Sequence, residues 1–394
     1  MHRSLIAALT LIPVLTAAVH AQQDTGPILK PTKPAAAKAT PTILIICDLA
    51  CSVKLDGEAK GNIDAGGSKK LPVSLGQHLV DATTQDGLDK VDQEVTLKAA
   101  GQTIVRLQLQ PVRDARLKAE QDARDKAARE QQQKNIAVQA QQGKAFFDQK
   151  QYAQAQPLLT SACNGGNMES CAMLGLLYAS GQGVAQDYAQ AVTLTRKACD
   201  SGNAEGCTNL GLLYESGRGV TKDLSQARTF FERGCNGGNM RSCNALGVLY
   251  QSGQGGPQDS QRAVALQQKA CNGGLANACN ALGIHYLNGT GVPRNETQAG
   301  TIFSQTCNAG FMPACDNLGV LYEGARGVAQ NYAQARTLFE KVCTAGDMLG
   351  CNHLAMVYQN GSGVHRDIKR ARELYTQACD KGLQVACDNL RKLR

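Results

Sequence analysis

Apolar and polar positions change pattern four times along the chain. Leu5 to Ala18 is almost continuously apolar, preceded by His2 and Arg3 and followed by Val19-His20-Ala21. This layout predicts a secretory signal over residues 1–21, cut at a small-residue site. The run falls short of the roughly 20 residues that cross a bilayer, and no later run approaches that length, so no transmembrane segment is expected after cleavage. Residues 22–40 then hold Pro27, Pro31 and Pro34 among Ala and Lys, the composition of an extended linker.

Over residues 41–110 the pattern becomes one of short alternating or β-branched runs: Thr42 to Cys47, Ser52 to Leu55, His78 to Thr83, Val91 to Leu97 and Thr103 to Leu109. Asp56-Gly57, Gly66-Gly67, Asp86-Gly87 and Ala100-Gly101 separate them as turns, so a small β-sandwich-like module is expected. The residues Val53-x-Leu55-Asp56-Gly57 and Leu71-Pro72-x-x-Leu75-Gly76-x-His78-x-Val80 resemble the PEGA domain family of bacterial exported and membrane-tethered proteins. Cys47 and Cys51 depart from the small residues of that pattern. Their proximity suggests a local bridge across a bulge, with a free or metal-bound pair as the alternative.

Residues 111–141 are rich in Ala, Lys, Arg, Glu, Asp and Gln and hold no Gly or Pro from Val112 onward, which predicts a solvated spacer helix. Acid-before-base pairs four apart, such as Glu120 and Arg124, support it by a few tenths of a kcal/mol each.

From residue 142 to 394 the apolar pattern is helical and repeats. Leu174, Leu177 and Tyr178, then Ala191, Leu194 and Ala198, mark two helices with a Gly-rich break between them, and Cys-x7-Cys recurs seven times at a spacing of 36 residues. Tyr178, Tyr214, Tyr250, Tyr286, Tyr322 and Tyr358 keep the same phase. Each unit is therefore a helical hairpin. Leu210-Gly211-x-x-Tyr214-x-x-Gly217-x-Gly219-Val220 and Asp223-x-x-x-Ala227 resemble the Sel-one-like repeat family, relatives of the tetratricopeptide repeats, and the cysteines resemble its secreted cysteine-rich bacterial subgroup. The resemblance implies a mainly α protein: a right-handed α/α superhelical solenoid of about seven disulfide-bridged hairpins. The first unit lacks the Gly-x-Gly insert and turns at Gln149 to Tyr152. The last, with Arg391 where Gly is usual, is expected to cap the array.

Export makes disulfides the default reading of the 16 cysteines. Within the repeats the pairs are Cys163–Cys171, Cys199–Cys207, Cys235–Cys243, Cys271–Cys279, Cys307–Cys315, Cys343–Cys351 and Cys379–Cys387, each astride the turn from one hairpin to the next, with Cys47–Cys51 outside the period. The formal charge of +8, or +7 without Arg3, is a mild excess without the interleaved aromatics of a nucleic-acid surface, and no nucleic-acid partner is expected. The Gly-x-Gly elements at Gly181, Gly217, Gly253, Gly289 and Gly361 follow no strand and carry no Gly-Lys-Ser/Thr, so they read as helix ends and not phosphate loops. No catalytic residue, metal ligand or cofactor is nominated: Ser-x-x-Lys, Lys-Thr-Gly and His-Glu-x-x-His are absent.

What remains is a binding surface. Asn209, Asn244, Asn280, Asn317, Asn352 and Asn389 follow the second cysteine of their pairs, where on a concave solenoid face their amides would meet a partner's backbone. The alternative is that they cap or line the first helical turn. The expected function is thus an exported scaffold, secreted or periplasmic, for a protein or peptide, or for an envelope component such as peptidoglycan. Its alternative, weak β-lactamase or penicillin-binding activity, is implied only by the cysteine-rich relatives.

Overall fold

The computed structural model describes residues 39–393, so the expected signal, nearly all of the linker and Arg394 lie outside the described residues. The chain divides into two compact units between Glu130 and Gln131.

The first unit holds seven strands: β1 (Thr42–Cys47), β2 (Cys51–Leu55), β3 (Glu58–Ile63), β4 (Ser68–Pro72), β5 (Gly76–Thr84), β6 (Lys90–Leu97) and β7 (Gln102–Leu107). They form a three-stranded sheet, β4-β1-β7, in which β1 and β7 are parallel, and a four-stranded antiparallel sheet, β3-β2-β5-β6. Alternate residues point inward, so Ile43, Ile45, Val53, Val80, Val105 and Leu107 share one core. Strands β3 and β4, Glu-Ala-Lys-Gly-Asn-Ile and Ser-Lys-Lys-Leu-Pro, lie at the sheet edges, where mostly exposed polar side chains hide the strand signal. The bridge between Cys47 and Cys51 differs in setting from the bulge suggested by sequence. It spans the step from β1 in one sheet to β2 in the other, with Cα atoms 6.4 Å apart, and the irregular pairing falls at Val53 and Lys54.

Helix α1 (Gln110–Asp148) begins under Asp48, whose carboxylate accepts from the Leu109 and Gln110 N–H groups at 2.7 and 3.0 Å. Arg113 and Arg116 hold the buried Asp89 carboxylate at 3.2 and 2.7 Å. Every residue from Leu117 to Asn135 is exposed, so this stretch rests on helix propensity and local charge pairs. The helix continues past residue 141 into the first hairpin. Gly143 lies inside it because a Cβ there would stand 2.9 Å from Leu159 Cδ2 of the next helix.

After α2 (Tyr152–Asn164) come six two-helix units: α3 (Met168–Ser180) with α4 (Tyr188–Asp200), α5 (Ala204–Ser216) with α6 (Leu224–Asn236), α7 (Met240–Ser252) with α8 (Ser260–Asn272), α9 (Ala276–Asn288) with α10 (Glu296–Asn308), α11 (Met312–Gly324) with α12 (Tyr332–Thr344), and α13 (Met348–Asn360) with α14 (Ile368–Asp380). The α15 helix (Gln384–Lys392) follows. With the end of α1 and α2 as the first, these make seven hairpins of a solenoid.

One packing solution recurs in three of the six two-helix units. A glycine in the first helix admits an aromatic ring from the second: a Cβ on Gly211, Gly283 or Gly319 would collide with Phe231, Phe303 or Phe339 at 2.4 to 2.6 Å. The connector needs two glycines for different reasons. Gly217 ends α5 in the left-handed region (φ 72°), and Gly219 passes so near the start of α4 that a Cβ would lie 2.5 Å from the Tyr188 carbonyl oxygen. Second helices start under carboxylate or amide caps, as where Asp223 accepts from Ser225 and Gln226 N–H. The seven repeat disulfides join the end of each second helix to the start of the following first helix, with Cα atoms 4.4 to 4.7 Å apart.

Candidate functional site

The first helices α3, α5, α7, α9, α11, α13 and α15 occur once per unit, so any residue of fixed phase along them recurs as a row. The six asparagines do not cap these helices. That position is held by Asn167, Asn203, Asn239 and Asp347, each accepting from a backbone N–H two or three residues on. The six lie about a turn further in and point toward the neighbouring unit.

A register rule accounts for their alternation between two phases. The residue one past the second cysteine faces the residue two past it in the next unit, a separation of 37. Asn280 Oδ1 accepts from Asn317 Nδ2 at 2.8 Å, and Asn352 Oδ1 accepts from Asn389 Nδ2 at 2.9 Å. Asp316 and His353 fill the same relation at 2.8 Å. Burial opposes charge on His353, but the Asp316 hydrogen bond and the carboxylates of Asp316, Glu323 and Asp347 outweigh it and hold its pKa above the ordinary imidazole value. Asn209, 6% exposed, donates to the Ala172 carbonyl over 3.4 Å. Asn244 has Ala281 at the matching position, which offers no side-chain partner.

Four of the six amides are therefore committed to one another, while Asn209 and Asn244 line hollows. Asn209 borders a cavity of about 210 Å³ with Leu176, Leu212 and Arg218. Asn244 borders one of about 150 Å³ with Arg241, Asn277 and, again, Leu212. The two hollows meet at Leu212.

Sequence reasoning did not single out a second row on this face. Leu176, Leu212, Val248 and Ile284, five residues past the second cysteine, are 37, 37, 48 and 38% exposed. Val320 and Met356 continue the row, partly buried. An aliphatic residue at constant phase looks like core in a periodicity count, and only the packing shows that it faces outward. On one side of it Lys144 pairs with Glu169 and Arg241 with Glu205, at 2.6 and 3.3 Å, whereas the later units present Leu349 and Val385 there, 46 and 44% exposed. The face is thus an apolar stripe with amides beside it and an edge that turns from charged to apolar.

The model of the Sel1 repeat matches residues 169–203, 204–239, 241–275, 276–311, 313–347 and 349–383. A protective antigen of uropathogenic Escherichia coli displaying an SLR fold is 27% identical with a TM-score of 0.58, over 68% of this chain and 58% of that one. A Sel1 repeat protein from Oxalobacter formigenes superposes with a TM-score of 0.57 at 24% identity, over 61% of this chain and 96% of that one, and shares its fold. No curated protein sequence matches the chain. Six matched repeats fill more than half of the sequence and coincide with the hairpins of the structure, so the chain belongs to the Sel1 repeat family.

Proposed function

We propose that this Sel1 repeat scaffold is exported and binds a protein or peptide partner at the cell envelope through the open face of its first helices. Sel1 repeats generally mediate protein–protein interactions. The observation that carries the reading here is the stripe of Leu176, Leu212, Val248 and Ile284, because aligned aliphatic side chains exposed by more than a third gain free energy when a partner covers them. Asn209 and Asn244 beside it supply donors and acceptors for a main chain. Export is supported by the apolar segment at Leu5 to Ala18 and by sixteen cysteines that are all paired, since such bridges persist in oxidising compartments. The β module then serves as a PEGA-like spacer or docking unit.

The test is photo-crosslinking of the mature protein in envelope extract, comparing wild type with the triple variant Leu212→Glu, Val248→Glu, Ile284→Glu. These side chains are exposed, so the helical circular dichroism should persist while crosslinked partner falls at least about tenfold, the effect of losing one or more buried aliphatic contacts. Undiminished crosslinking would remove the stripe as the binding face.

A further inference from the structure

We infer that the cavity bordered by Asn209 receives the C-terminal residue of a peptide, with its apolar side chain inside and its α-carboxylate on Arg218. The inference deepens the reading above and rests on it. The cavity lies among α3, α4 and α5, between Leu176, Leu212, Leu213 and Tyr188. It opens there because α3 carries Ala179 at a phase where the following first helices carry Glu215, Gln251, Leu287, Glu323 and Gln359. At about 210 Å³ it exceeds the roughly 150 Å³ that accommodates benzene in an apolar protein cavity, and it suits one leucine- or phenylalanine-sized side chain.

The repeat itself supplies the comparison that points to a carboxylate. Arg326 stands at the phase of Arg218, three units later, and Glu296 stands at the phase of Tyr188. There Arg326 Nε holds the Glu296 carboxylate at 3.0 Å. In the earlier unit an aromatic ring replaces that carboxylate, and Arg218 lies with its guanidinium carbon 5.7 Å from the Tyr188 ring centre. Among the described residues Arg218 forms no ion pair, so the anion that its counterpart finds within the fold is left for a ligand to supply. An internal peptide residue would bring only a neutral amide to this arginine, and an acidic side chain would put its charge against the apolar walls. A chain terminus joins an apolar side chain and a carboxylate on one carbon. The Asn209 carboxamide, at the same wall, can accept the terminal residue's N–H through Oδ1.

The experiment uses ¹⁵N-labelled full-length protein titrated with N-acetyl-leucine and N-acetyl-phenylalanine, their C-terminal amides, N-acetyl-glycine and octanoate. Both apolar acids should give saturable shifts at Tyr188, Asn209 and Leu212, and should bind about tenfold more tightly than their amides, the increment of one charge-assisted contact. Arg218→Gln should erase the gap between acid and amide. Leu212→Trp, which fills the hollow, should abolish binding of both. Equal affinity of acid and amide, shifts elsewhere, no saturable shift, or tighter binding of octanoate would each overturn the assignment, the last by giving the cavity to an amphiphile. If the triple glutamate variant loses its crosslinks while Arg218→Gln keeps them and no acid binds, the stripe stands and the pocket falls.

Discussion

Thr195, Phe231, Gln267, Phe303, Phe339 and Tyr375 share one position, four residues past the fully buried alanine of each second helix, and all are buried. Gln267 can occupy an aromatic site because its neighbour has changed with it. His285 stands where other units have Leu177, Leu213, Leu249, Leu321 or Val357, and the two side chains meet at 2.7 Å. Burial holds the His285 pKa below the ordinary imidazole value, so the ring is neutral. Its Nδ1 lies 3.0 Å from the Thr290 carbonyl and must donate, which leaves Nε2 as acceptor. A half-turn of the Gln267 carboxamide, exchanging its oxygen for its NH2, satisfies that acceptor. Removing either partner leaves a buried polar group unpaired, so Gln267→Phe or His285→Leu alone should cost about 1 to 3 kcal/mol, whereas the double change should recover most of it. Urea unfolding of the four proteins checks this, and additive losses would contradict it. Acidity gives the pair a second signature. With the folded-state pKa lowered, the unfolded chain binds more protons below about pH 6.5, so wild type should lose more stability than the double variant between pH 7 and 5.

At the scale of elements, the hairpins were legible because period, cysteine spacing and paired glycines agree, and the spacer helix because nothing in it breaks a helix. Strands β3 and β4 were hidden by polar edge sequences, and the Leu176 to Ile284 row by its likeness to core. The two phases of the asparagines had no reading within one hairpin, since their partners lie in the next. The connectors also show where a local rule is broken. Five of the six first helices that run into a connector end on a left-handed glycine, but α11 ends on Ala325 at φ 55°. That conformation crowds a Cβ, at a cost only partly offset by the lower entropy of alanine in the unfolded chain. Ala325→Gly should therefore stabilise by about 0.5 to 1 kcal/mol, seen as a raised denaturant midpoint with unchanged m-value; a lower midpoint would show that the connector tolerates alanine without strain.

At the scale of the molecule, each hairpin packs on its sequence neighbours, so stability should be added locally. A bridge closing so short a loop contributes about 2 to 3 kcal/mol in the chain-entropy estimate. Replacing Cys271 and Cys279 by Ala should accordingly speed amide hydrogen exchange in α8 and α9 while leaving α3 and α13 as they were. A uniform loss across all the helices would instead mark the array as one cooperative block. The 37-residue register described above bears on how such an array assembles. Hairpins of one backbone shape risk stacking in the wrong order, a characteristic misfolding of repeat proteins. Amide with amide in two junctions, and carboxylate with imidazole in the one between them, make neighbouring boundaries differ, so hairpins alike in form are not freely interchangeable in place.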